Sequence, residues 1–257
     1  MKVGIIGVGF VGGAVKSAYD NANIPTVCVD PAKGYTSGYE DLRDCDAVFV
    51  CVPSPVNDDG SCDTSFLEDT MEKLKDYRGI IISKVTAPPD TYITLQSQYT
   101  NLVHAPEFLT AANANSDYAN GKFAIIGGLD PYRTQAAVVI TAGQKYIIDI
   151  VRTDIGEASL AKYAMNSFLA TKVTFYNELY KLTKRSGLDY NMVKNAISLD
   201  VRQGCSHFDV PGPDGDFGFG GACFPKDTSA LLHYAETKNV ELCVLKQSVN
   251  KNKIIRG

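Results

Sequence analysis

At 257 residues, with 45% hydrophobic and 21% charged side chains, the chain has the make-up of a soluble globular protein, with room for one large domain or two ordinary ones. A formal net charge of −4 and the lack of any Lys/Arg run argue against nonspecific nucleic-acid binding, and no stretch approaches the ~18 apolar residues of a membrane span. Seven cysteines at irregular spacings, without a CxxC pair, point to a reduced cytoplasmic chain and away from a disulfide scaffold.

The first predicted element is a strand over Val3–Ile6, running into Gly7-Val8-Gly9-Phe10-Val11-Gly12 and a helix to about Asn21. Lys2 followed by an apolar run superficially imitates a signal peptide, but the glycines from Gly7 to Gly13 break it as an apolar core. A second strand over Val27–Val29 ends at Asp30. Strand, GxGxxG, helix, strand and acid together form a dinucleotide fingerprint in its required context. Gly7 allows the tight turn, Gly9 lets a pyrophosphate meet backbone N–H groups, and Gly12 lets helix and strand pack closely. Asp30 would hold ribose hydroxyls and repel a 2′-phosphate, which favours NAD over NADP. Lys33 is placed to meet the adenosine end of the cofactor or to stay solvated.

Strands and helices keep alternating. Strands are predicted at 47–52, 80–82, 102–103, 124–126 and 146–150, with helices after Asp63 and over 130–142. Repeated strand–helix units predict a doubly wound parallel sheet, whose ligands bind beyond the carboxyl ends of the strands. Ser54, Thr86 and Glu107 each follow such an end, so they are expected to face one crevice.

From Gly156 to about Ser186 no Gly or Pro interrupts a long helix whose middle is apolar nearly all round. A helix of that kind is usually covered on several sides, which predicts a partner subunit. Lys162 and Asn166 lie four apart on it and share one face, and Lys162 is read either as a buried, paired lysine or as one whose head reaches water. A short helix over 189–199 is followed by a long Gly/Pro/Asp-rich loop to Gly221. That loop delivers Cys223 to the start of another helix, where exposed N–H groups favour a thiolate, with Asp227 one turn on. Gly220 and Gly221 leave the sulfur approachable, the layout of a covalent cysteine site; a packed loop cysteine is the alternative. Cys205, His207 and Cys223 lack a fourth ligand at standard spacing, so no metal site is expected.

Taken together the motifs resemble the UDP-glucose/GDP-mannose dehydrogenase family, most closely its UDP-glucose 6-dehydrogenases. The matching stretches are GVGFVG at 7–12, VPSPVNDDGSCD at 52–63, KVTAPPDT at 84–91, APEFL at 105–109, EASLAKYAMNSFLATKVTFYNE at 157–178 and GFGGACFPKD at 218–227. The resemblance implies a Rossmann-type NAD-binding domain over 1–153 and a helical dimerisation and catalytic domain over 154–257, dimerising through the 156–186 helix. It implies a four-electron oxidation of a nucleotide-sugar C6 alcohol, UDP-glucose to UDP-glucuronate, with NAD as oxidant. Cys223 would carry a thiohemiacetal and then a thioester; Lys162 and Asn166 would stabilise the C6 oxyanion. Asp227 and Thr86 would place a water, and Glu107 would assist hydrolysis. By the same resemblance Gly9, Phe10, Val11, Asp30, Ser54 and Thr86 fall at cofactor positions. Glu107, Phe108, Leu109, Lys162, Asn166, Arg202, Phe219 and Gly220 fall at substrate positions, Arg202 serving the neighbouring subunit.

The chain departs from the family pattern at Ala111, where a second glutamate is frequent, at Phe123, where an arginine is common, and at Asp90, where a glycine is common. Family members also continue into a third, nucleotide-binding domain, whereas this chain stops at Gly257. Two further readings therefore stand beside the enzyme: a weakly active or non-catalytic NAD-binding module, and a related dehydrogenase acting on another sugar or hydroxyacid.

Overall fold

Short, mostly β-branched or apolar runs of two to six residues, most of them followed by a helix, build a single sheet in the first part of the chain. Its elements are β1 (Val3–Ile6), α1 (Phe10–Asn21), β2 (Thr26–Asp30), β3 (Tyr35–Thr36), β4 (Ala47–Val50), α2 (Ser65–Lys73), β5 (Ile80–Ser83), α3 (Pro89–Gln98), β6 (Leu102–His104), α4 (Ala114–Ala119), β7 (Phe123–Gly128), α5 (Tyr132–Gly143) and β8 (Asp149–Thr153). They come from a computed structural model that describes every residue except Ala111, Lys145 and Cys205. It divides into two units, Met1–Pro55 with Cys62–Lys162, and Val56–Ser61 with Tyr163–Gly257.

In the first unit the strand order is β3-β2-β1-β4-β5-β6-β7-β8. Side chains alternate across it as a strand's period of two requires. Val3, Ile5, Ala47, Phe49, Ile80, Ile82 and Val103 join α1 and α5 in one core layer. Ile6, Val48, Val50, Ile81 and Leu102 join α2 and α3 in the other. Both faces are thus covered, which is why these strands read as continuous apolar runs.

The sheet is parallel from β2 through β6, with antiparallel pairing at β2–β3 and β6–β7. The β6–β7 reversal departs from an all-parallel expectation. Among the described residues the connection holds the short α4 alone, which packs on α1, and the chain re-enters at the end where β6 left. The last strand lies at Asp149–Thr153, a few residues beyond the predicted 146–150. The helix predicted after Asp63 starts at Ser65, and Asp63 accepts from Ser65 N at 2.9 Å.

The second unit is helical: α6 (Ile155–Arg185, beginning in the first unit), α7 (Tyr190–Ser198), α8 (Phe224–Thr237) and α9 (Cys243–Arg256). Tyr176, Tyr190 and Phe208 form its aromatic core, with Tyr176 and Phe208 edge to face at 4.7 Å. Asp189 caps α7 by accepting from Asn191 N at 2.8 Å. The apolar girth predicted for α6 is only partly buried within the chain: Phe168 is 68% exposed, Phe175 58% and Leu182 61%. These three lie seven residues apart, along one side of the helix. Among the described residues no helix is long and apolar enough to cross a membrane.

Candidate active site

The glycine turn sits where β1 hands over to α1, beside β4, the place in the strand order where neighbours run out to either side. A Cβ on Gly12 would lie 1.8 Å from the carbonyl oxygen of Gly7, so only glycine lets α1 close on the turn. A Cβ on Gly9 would meet nothing within 4 Å, leaving its backbone open to a pyrophosphate. Asp30, at the end of β2, accepts from Val8 N at 2.7 Å through Oδ2. Its Oδ1 makes no hydrogen bond among the described residues and is available to ribose hydroxyls. The turn therefore fits a dinucleotide. Phe10 is exposed and Val11 half-buried at the start of α1; Lys33 is exposed in the short 3₁₀ turn Pro31–Lys33, and Ser54 is buried beyond β4.

Beyond the ends of β4, β5 and β6 the same unit buries an unusual set of charges. Lys162, 3% exposed, donates from Nζ to Glu107 Oε1 at 3.0 Å and to the Glu107 carbonyl oxygen at 2.5 Å. The other carboxylate oxygen, Oε2, accepts from Leu109 N at 2.7 Å. Lys162 is thus the buried, paired lysine of the two alternatives its spacing allowed. Its ammonium also lies 5.1 Å from the Phe108 ring, and Phe108 packs on Phe123 at 5.0 Å. An aromatic contact therefore occupies the position where the family commonly has an arginine.

Thr86 is held nearby in the loop after β5. Tyr92 donates to Val85 O at 2.5 Å and Ser159 to Ala87 O at 2.6 Å, and Cys62 donates to the Thr86 carbonyl at 3.5 Å. The sequence reading passed over Lys84, which is buried next to Thr86, and Cys51 just after β4. Burial pushes the Lys84 pKa down to about 8 and the Cys51 thiol up to about 12. His104, stacked on Tyr92 at 4.1 Å, is pushed down to about 3 by burial and is neutral at ordinary pH.

In the helical unit Cys223 occupies the N-cap position of α8, solvent-exposed, with Pro225 in the first turn. The first N–H groups of a helix lack intrahelical partners and point toward its cap. One turn on, Asp227 is 1% exposed; its Oδ2 accepts from Asn166 Nδ2 at 2.6 Å and its Oδ1 from Lys226 Nζ at 2.7 Å.

The glycine-rich approach to Cys223 is clamped by side chains that gave no advance signal. Asn252 of α9 accepts from Phe219 N at 2.7 Å and donates to Phe219 O at 2.9 Å. Asn177 of α6 accepts from Gly218 N at 2.9 Å. Gly218 has φ +76°, and a Cβ there would lie 2.3 Å from Asn252 Oδ1, so both the backbone and the clamp demand glycine. Arg256 lies over Gly220 and pairs with Asp214 at 2.9 Å.

The predicted residues therefore fall into three groups. Gly7, Gly9, Gly12 and Asp30 form the turn; Glu107 and Lys162 form an ion pair beside Phe108; Asn166 and Asp227 form a hydrogen-bonded pair one turn below Cys223. Phe219 is buried, its ring 6.3 Å from that of Phe224. Arg202 is exposed on a 3₁₀ turn, bound to Asp200 at 2.6 Å. Ala111 and Cys205 lie outside the described residues.

An open glycine turn at the switch point of a doubly wound sheet, followed in the chain by a helical unit, defines a dinucleotide-binding protein of the Rossmann class. The NAD-binding domain of the UDP-glucose/GDP-mannose dehydrogenase family matches residues 31–142, and its central domain matches residues 156–254. The chain is 30% identical to the YtcA protein of Bacillus subtilis (strain 168), over 99% of this chain and 68% of that protein. It is 31% identical to the UDP-glucose 6-dehydrogenase of Rickettsia felis, over 83% of this chain and 49% of that enzyme. The solved structure of a UDP-glucose dehydrogenase from Pyrobaculum islandicum superposes with a TM-score of 0.81 at 26% identity, covering 98% of this chain and 68% of that one. The chain belongs to the UDP-glucose/GDP-mannose dehydrogenase family, and NAD is its cofactor. It spans about half to two thirds of the length of these relatives.

Proposed function

We propose that the chain oxidises the C6 alcohol of a nucleotide sugar, UDP-glucose, to the carboxylate through a covalent intermediate on Cys223. The observation that carries this reading is the start of α8: Cys223 at the N-cap with Asp227 buried one turn on, its carboxylate held by Asn166 at 2.6 Å. When bound, NAD supplies the oxidising power, accepting a hydride from C6 at each of two steps. Gly7, Gly9, Phe10, Val11, Gly12, Asp30, Lys33, Ser54 and Thr86 are the residues assigned to hold it.

In this reading Lys162 and Asn166, one turn apart on α6, stabilise the oxyanion that develops at C6. The Cys223 thiolate adds to the aldehyde carbon, the carbonyl oxygen takes up a proton, and a thiohemiacetal forms. The hydroxyl proton of the alcohol, and then that of the thiohemiacetal, passes to water as each hydride leaves, and the second oxidation leaves a thioester. Asp227 and Thr86 orient a water whose proton passes to Glu107 as its oxygen attacks; the C–S bond breaks and the thiolate departs. Phe108, Leu109, Phe219 and Gly220 are the further residues assigned to the sugar. Arg202, exposed and paired with Asp200, is assigned to the site of a second copy. That copy docks on the side of α6 bearing Phe168, Phe175 and Leu182, and the homodimer works in the cytoplasm.

Because the chain spans only part of its relatives' length, an NAD-binding dimer without turnover is the second reading. Absorbance at the NADH band separates the two. With UDP-glucose and NAD the enzyme yields two NADH per sugar consumed; NAD binding with no NADH would overturn the oxidation. GDP-mannose and hydroxyacids in parallel test the substrate.

A further inference from the structure

Resting on that reading, one buried charge of the first unit is left without a task. Lys84 follows β5 and is 6% exposed. Its ammonium lies 5.4 Å from the Tyr118 ring, and it forms no ion pair or hydrogen bond among the described residues. With Glu107, Phe108, Asp117, Tyr118 and Gln144 it lines a cleft of ≈ 40 Å³, large enough for water. A lysine so buried is rarely left unpaired.

The groups facing Lys84 narrow its purpose. Asp117 of α4 is already engaged, its Oδ2 accepting from Thr110 N at 2.8 Å and from Thr110 Oγ1 at 2.5 Å. Tyr118 offers a ring, and its hydroxyl has no partner among the described residues. Cys51 beyond β4 holds its proton, and His104 of β6 is neutral. Of the groups on the facing elements, Glu107 is the carboxylate left, and its field raises the Lys84 pKa while the like charge of Lys162 lowers it. Glu107 already claims two of the three donors of Lys162. If Lys162 also serves an oxyanion on the substrate, one buried cation must neutralise two anions, which is costly in a low-dielectric site.

We propose that Lys84 is a positioning residue for Glu107: a second buried ammonium that shares the counter-charge of that carboxylate with Lys162, across water in the cleft, and leaves Lys162 able to serve an anion on the substrate. The arrangement is self-balancing. Two ammoniums and one carboxylate carry one surplus positive charge, which a developing oxyanion cancels.

The test has one arm that needs no turnover. Trace acetylation of the full chain across pH, read peptide by peptide by mass spectrometry, gives the titration midpoint of each lysine. The midpoint of Lys84 should rise in Lys162→Met, where Glu107 has one cation left, and fall in Glu107→Gln. A midpoint that neither variant moves would overturn the pairing. The second arm is NADH formation with UDP-glucose. Lys84→Met should lose at least tenfold in kcat with KM for the sugar nearly unchanged, and its alkaline limb should move. Lys84→Arg, which keeps a cation, should recover most of the rate. Equal losses in both variants with an unmoved limb would leave Lys84 a packing residue and sink the proposal. If the unmodified chain makes no NADH yet Lys84 responds to both neighbours, the reaction assigned above fails while the Glu107–Lys84 pairing stands.

Discussion

The two units differ in where they place side chains that sit against type. The sheet unit hides charge, burying Lys84, Glu107 and Lys162 beyond its strand ends. The helical unit shows grease, leaving Phe168, Phe175 and Leu182 in solvent along α6. Buried charge costs stability and is tolerated where chemistry needs it; exposed apolar stripes mark a surface that something else covers. The sheet unit therefore spends stability on a site, and the helical unit lacks part of its own cover.

The contrast can be broken or sharpened by experiment. The largest effect expected is from Cys223→Ala, which should abolish acid formation while NAD binding, followed by NADH-type fluorescence or calorimetry, stays within a factor of a few; unchanged acid output would remove the thioester. Next is Lys162→Met, which leaves Glu107 with the loss of its direct ammonium partner. Removing one member of a buried ion pair costs about 3–5 kcal/mol, readable as a lower urea midpoint, and a loss under ~1 kcal/mol would mean the charge is not buried in solution. Placing aspartates at Phe168 and Phe175 together should split a dimer to monomers in sedimentation while the helical circular dichroism remains.

The smaller effects refine it. Asn252→Ala orphans both Phe219 N and Phe219 O, at about 1–3 kcal/mol for each buried group left unmet, and should also slow alkylation of Cys223. Lys84 provides a pH signature. Its folded pKa of about 8 lies below the ordinary 10.5, so the unfolded chain binds the proton more tightly between those values. Stability due to this group should therefore rise as pH goes from about 8 to 10.5 and level off above, and Lys84→Met should lack that rise. Urea titrations at pH 8 and pH 10 on both chains check the slope.

Much of this was legible before folding. The strand–glycine turn–helix–strand–acid series announces itself because each part has one physical job, and Pro225 two residues after Cys223 marks a helix start. The antiparallel β7 was not legible, since its apolar Ala124–Ile126 looks the same run in either direction and only the brevity of α4 decides. Lys84 looks like a solvated strand end until Tyr118, from a helix far along the chain, lands over it. Asn252 sits in the polar run Asn250-Lys251-Asn252-Lys253, where nothing marks it apart from Asn250. Residues whose meaning comes from a distant partner stay silent in one dimension.

The clamp on Phe219 has a practical sequel. Asn252 and Arg256 belong to the last turns of α9, so a handle fused after Gly257 begins two residues beyond the guanidinium that lies over Gly220. Tension applied there, by a bead, a surface or a bulky fusion partner, should reach the backbone leading into Cys223. An immobilised sample tethered at Met1 should keep its thiol reactivity, and one tethered at the other terminus should lose some.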